Sequence, residues 1–101
     1  MSLNDLVNKI TELNTSITTE LASPREVIIK PDSNKESYIE VRDNLDANFE
    51  VKSYTIQVYL NTKNGYESRH YIEPCTKRKT STAIEYINRY INYIADNNCW
   101  K

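Results

Sequence analysis

A single glycine, Gly65, serves a chain of 101 residues. P-loops and dinucleotide-binding turns need several glycines where backbone must approach phosphate, so neither fits this sequence. Histidine is equally scarce. His70 is the one imidazole, in a predicted strand between Arg69 and Tyr71, and no Gly-x-Ser-x-Gly elbow accompanies it. Cys75 lies five residues from His70, about 16 Å along an extended strand and too far for a nucleophile–base pair. Structural zinc wants four Cys or His ligands in close pairs. Cys75, Cys99 and His70 form no such pairs. The expectation is a protein that is not an enzyme, with no catalytic residues, no metal and no cofactor.

Long apolar runs are missing as well. None approaches the ~20 residues needed to cross a bilayer. The N-terminal stretch carries Asp5 within a periodic pattern, not a basic region followed by an apolar block. A cytoplasmic protein with no membrane partner is expected, and in that compartment Cys75 and Cys99 are free thiols. A helix of about 16 residues between them would also hold them roughly 24 Å apart, beyond the ~7 Å Cα limit for a disulfide.

Excess charge of one sign is absent too. The net charge is −1, so no global field steers the chain towards nucleic acid or an anionic membrane. The distribution is uneven, however. Residues 49–79 are net basic, with Lys52, Lys63, Arg69, Lys77, Arg78 and Lys79 against Glu50, Glu67 and Glu73. Any charge-driven partner must meet that local patch.

What is present describes a globular protein. An apolar fraction of 39% with 27% charged residues is enough to bury a core. The length suits one domain over residues 1–101. Residues 2–23 read as a helix: Ser2 is a candidate N-cap and Asp5 suits the first turn. Leu3, Leu6, Val7, Ile10, Leu13, Ile17 and Leu21 form a stripe near period 3.5. Thr15–Thr19 has poor helix propensity, so the second half requires tertiary support. Pro24 ends the element.

Four strands are expected next, at 25–30, 36–43, 49–60 and 66–73. Pro31–Lys35 between the first two is turn chemistry. In the third strand the apolar parity changes between Phe49/Val51 and Tyr54/Ile56/Val58/Leu60, which implies a bulge near Lys52-Ser53. Asn64-Gly65 is the residue pair that supplies positive φ in a tight hairpin. A last helix starts at Ser81 or Thr82, with Thr82 and Glu85 as a capping box. Ile84, Ile87, Ile91, Ile94 and Ala95 share one arc of it, and Tyr86, Tyr90 and Tyr93 lie on the flank of that arc. The predicted fold is α+β: a four-stranded antiparallel sheet flanked by an N-terminal and a C-terminal helix, in the order α-β-β-β-β-α.

Two surfaces offer function. Tyrosine and tryptophan bury much area at modest rotamer cost and anchor protein interfaces. Tyr86, Tyr90, Tyr93 and Trp100 are therefore candidate partner-binding residues. The isoleucines should face the sheet, leaving the tyrosines for the first helix, a second subunit or another protein. Homodimerisation through the first helix's seam or the tyrosine flank is compatible with this. The alternative is nucleic acid, bound by Lys63, Arg69, Lys77, Arg78 and Lys79 with Tyr59 and Tyr71 as stacking rings. The plainer reading of Lys77-Arg78-Lys79 is a solvated strand-to-helix connection.

Three segments resemble known families. The stretch Thr76–Tyr86 after a run of strands resembles the last helix of double-stranded-RNA-binding domains, without their glycine-rich approach to it. Residues 54–91 are similar in element order to the arm-binding domains of phage integrases. Asn4–Ile10, "NDLVNKI", resembles the opening of a small phage anti-CRISPR protein that inhibits Cas9. That likeness implies a class: a compact, non-catalytic inhibitor, phage-encoded and acting in the host cell cytoplasm, that covers a surface of a nucleic-acid-processing protein. No site residues follow from it. The expected function is a non-enzymatic protein-binding module, directed at a bacterial defence (CRISPR-Cas) or replication protein.

Overall fold

The first helix has eleven residues, half the predicted length: α1 spans Leu3–Leu13. The computed structural model describes residues 3–14, 17–74, 80–96 and 99. Asn14 stops the helix. Its N–H is shared between the carbonyls of Ile10 and Thr11, at 3.0 and 3.3 Å. Its side-chain amide donates to Ile10 O at 3.2 Å and to Asn88 Oδ1 at 2.7 Å. Beyond it comes Ile17-Thr18-Thr19, a β-branched run whose restricted χ1 suits a pleated surface better than a helix. The predicted helix over 2–23 is thus corrected in its second half, which becomes a strand, β1 (Thr18–Ser23). The stripe divides accordingly. Leu3, Leu6 and Ile10 are buried, whereas Leu13 and Leu21 are 63% and 66% exposed.

The remaining elements are β2 (Glu26–Lys30), β3 (Tyr38–Leu45), β4 (Val51–Thr62), β5 (Gly65–Pro74) and α2 (Thr80–Ala95). The sheet has five strands, not four, in the order β1-β2-β3-β4-β5 with every neighbour antiparallel. The expected α+β architecture with an antiparallel sheet and two helices holds at that level. The added strand comes from the residues that the apolar stripe had assigned to the helix.

Short turns join the strands. At the β2–β3 connection the Asp32 carboxylate accepts the Asn34 N–H at 2.9 Å and its carbonyl accepts the Lys35 N–H at 3.0 Å. In β4 the register steps from Asn44↔Ser53 to Leu45↔Val51, leaving Lys52 as the extra residue of a bulge. That bulge resets the parity, so Tyr54, Ile56, Val58 and Leu60 all face the core. At the β4–β5 turn only Gly65 takes positive φ, +115°. The connection is therefore Lys63-Asn64 closed by glycine, with the Thr62 hydroxyl donating to Gly65 O at 2.8 Å, and not an Asn-Gly turn with both residues at positive φ.

One face of the sheet meets the helices. Val27, Ile29, Ile39, Val41, Tyr54, Ile56, Val58 and Leu60 pack with Leu3, Leu6 and Ile10 of α1 and Ala83, Ile87, Ile91 and Ile94 of α2. The helix α2 begins at Thr80, so Thr82 lies within its first turn and not at the predicted N-cap. Its C-terminus is capped from afar: Lys35 Nζ donates to the Ile94 carbonyl. A cation there satisfies an orphan acceptor and opposes the helix dipole. The opposite face of the sheet carries Lys30, Tyr38, Glu40, Arg42, Thr55, Gln57 and Tyr59, alternating with the core residues along β2, β3 and β4.

Candidate partner-binding surface

The isoleucine arc of α2 points inward and its tyrosines lie beside it. Tyr86, Tyr90 and Tyr93 are half-buried against the rim of the core. Their rings touch in a row, with Tyr86 and Tyr90 centroids 5.1 Å apart and Tyr90 and Tyr93 6.2 Å apart, tilted by 56° and 58°. Such tilted contacts are the arrangement aromatic quadrupoles favour. The flank across the arc is held to α1 by the Asn14–Asn88 hydrogen bond. The tyrosine row is therefore turned away from α1, and Arg69 of β5 is near enough to act on Tyr86. Burial, helped by the neighbouring Tyr90, pushes the Tyr86 hydroxyl up to about 12, against the lowering influence of Arg69 and Arg89. Tyr86 therefore stays neutral at any physiological pH. The row offers ring faces and hydroxyls, the composition of an interface anchor.

The nucleic-acid candidates do not assemble in the same way. Lys63 sits in the β4–β5 turn. Arg69 pairs with Glu67 across 3.2 Å and donates to Ser68 O at 3.1 Å. In the ladder Arg69 is opposite buried Val58 and Tyr59 is opposite Ser68, so Arg69 and Tyr59 belong to opposite faces of the sheet. The cation-and-ring face expected of Arg69 with Tyr59 is corrected by this register. Lys77, Arg78, Lys79, Trp100 and Cys75 lie outside the described residues. Cys99 is buried. His70 holds a ladder position opposite Gln57.

Two features escaped the sequence. The first is a tyrosine ladder on the open face of the sheet. Tyr38 and Tyr59 stack at 4.7 Å and 28°, and Tyr66 continues the series 6.2 Å from Tyr59. The Tyr59 hydroxyl donates to Gln57 Oε1 at 2.7 Å. Beside the ladder, a hydrogen bond to Glu26, partial burial and the Glu26 charge raise the Glu40 carboxyl to about 7, opposed by Arg42. These contacts cross four strands, β2 to β5, and sequence alone does not supply the register that brings them together. The second feature is Phe49, assigned from sequence to the start of β4 by parity with Val51. It lies instead in the β3–β4 turn with φ 62° and 83% of its surface exposed. Asp46 builds that turn: its carboxylate accepts the N–H groups of Asn48 and Glu50 at 2.8 and 3.1 Å. The Asp-Ala-Asn run, with an acceptor two residues before Asn48, is the signal that could have marked a turn there.

Among the described residues no group of three or more His, Cys, Asp or Glu side chains is placed to hold a metal ion. Nor is any helix among them long and apolar enough to cross a membrane. No family model, curated protein or solved structure matches this chain.

Proposed function

We propose that this chain is a non-enzymatic protein-binding module whose docking surface is the tyrosine flank of α2. The observation that supports it is the contiguous row Tyr86–Tyr90–Tyr93, half-buried and turned away from α1. A half-buried tyrosine is already partly ordered, so docking a partner on it loses less rotamer entropy than docking on a free side chain. Trp100 is a fourth anchor in this reading. Binding works by occlusion, the partner being a bacterial defence or replication protein. The resemblance of Asn4–Ile10 to an anti-CRISPR opening directs that choice. The nucleic-acid alternative has less support, because Arg69 is engaged by Glu67 and faces away from Tyr59.

The test compares the parent with a Tyr86→Lys/Tyr93→Lys variant as baits in bacterial lysate. Lysine stems still cover apolar surface while placing charge on the flank. Lys63→Glu, in the β4–β5 turn, is the control. The expected result is a partner retained by the parent and by Lys63→Glu but lost from the tyrosine variant, with the circular dichroism spectra unchanged. Retention by the tyrosine variant and loss from Lys63→Glu would transfer the site to the basic hairpin.

A further inference from the structure

We infer that β1 is a self-pairing edge and that two copies of this chain join through it as a two-fold dimer. The edge is bare: all six residues of β1 are exposed, and among the described residues nothing hydrogen-bonds its outer side. Proteins blunt such edges with lysine, proline or inward-pointing charge. Between Ile17 and Leu21 this edge has none of these, and its one charge, Glu20, lies on the open face opposite Ile28. The single blunting device is a bulge at Ala22, where the register steps from Leu21↔Val27 to Ser23↔Glu26. Pairing must therefore use residues 17–21, Ile17 being the residue just before β1, half-buried against its own core and with its N–H given to the Asn14 carbonyl.

Side-chain chemistry selects the register. In antiparallel pairing, residues directly opposite share a face, so a two-fold axis must sit between one residue and its own copy. An axis at Glu20 would set two carboxylates against each other. An axis at Leu21 would run the ladder through the Ala22 bulge. An axis at Thr19 avoids both faults. It places Thr19 opposite its own copy, Thr18 opposite Glu20 of the second copy, and Ile17 opposite Leu21 of the second copy. The last pair is the informative one. Leu21 is 66% exposed and continues the helix-side row of buried Val27, Val41 and Ile56. Covering it with isoleucine from the second copy extends that apolar layer across the axis. The five-stranded sheet then becomes a continuous sheet of twice that number. The interface is isologous and closes at two copies, so no fibre follows.

Sedimentation equilibrium on the whole chain, from about 1 μM to about 1 mM, covers even weak self-association. The parent is expected to double its mass within that span. Thr19→Lys sets two ammonium groups at the axis and should weaken the dimer by about tenfold, with an unchanged circular dichroism spectrum because Thr19 is exposed. Leu21→Gln should act in the same direction. Thr19→Cys in a Cys75→Ser background should form a disulfide-linked dimer on mild oxidation, since opposed residues on paired strands meet the geometry of a bridge. Glu20→Cys in that background should not. A monomer at every concentration overturns the inference. So does a dimer that Thr19→Lys leaves intact and that Thr19→Cys fails to cross-link.

Discussion

Phe49 has little to gain inside the monomer, at φ 62° with 83% of its surface in solvent. The left-handed region costs a non-glycine residue about 1–2 kcal/mol. Asp46 holds the turn in place through two N–H groups. Phe49→Gly and Phe49→Asn should therefore raise the urea midpoint, with a stability gain of roughly 0.5–1 kcal/mol once the entropy of the freer residue is set against the relief. An unchanged or lower midpoint would show the ring packed against its own chain. Glu40 makes a second prediction at this scale. Its folded pKa is about 7, raised from 4.5 by the Glu26 hydrogen bond first and burial second. The folded state thus holds a proton that the unfolded state releases between those values. Stability contributed by this group is complete below about 4.5 and is lost as pH rises through 7. The urea midpoint of the parent should fall between pH 5 and pH 7.5, and Glu40→Gln should flatten that slope. A parent and variant with parallel profiles would remove Glu40 from the account. Neither residue was legible beforehand. Phe49 matched the strand's apolar parity, and the Glu26–Glu40 contact needs a register between β2 and β3 that local sequence does not state.

The elements divide by what specifies them. Isoleucines at 87, 91 and 94 fix both the existence and the buried face of α2, and all three are buried as the periodicity requires. Its end is fixed from outside, by Lys35 donating to Ile94 O while its side chain is 8% exposed. Lys35→Ala removes a charge-assisted bond to a helix terminus and should cost about 2 kcal/mol, read from urea denaturation. A loss below about 0.5 kcal/mol would mean that solvent replaces the cap without penalty. The limits of α1 give a paired test. Ile10 is fully buried and Leu13 is 63% exposed. Ile10→Ala should cost about 2–5 kcal/mol and Leu13→Ala close to nothing. Equal costs would favour the longer helix that the stripe suggested. That stripe misled because Leu13, Ile17 and Leu21 fall on the same period as Leu3, Leu6 and Ile10. The β-branched threonines between them opposed the helix, and they decided the outcome.

At the scale of the molecule, one layer of helices covers one face of a sheet and leaves the other to solvent, an arrangement that antiparallel sheets accommodate. Each surface then has its own role in the proposals above. In them, the tyrosine flank of α2 would receive another protein and β1 a second copy. The two sites lie on different elements, so a Thr19→Lys chain should keep its lysate partner while losing its dimer. Loss of both together in that variant, with its circular dichroism spectrum intact, would show that partner binding requires the dimer.

The sequence by itself determined the class of the fold, the isoleucine face of α2, the bulge in β4, the turn chemistry at Asp32 and the position, not the type, of the hairpin turn at Gly65. Each rests on contacts within a few residues, where periodicity and side-chain shape act directly. Tertiary structure alone decided that residues 18–23 pair with β2, that Tyr59 and Arg69 stand on opposite faces, and that Tyr38, Tyr59 and Tyr66 form one ladder. Those outcomes depend on register between strands distant in the chain. A shift of one residue would send every side chain to the other face, and only the packed core selects among the possible shifts.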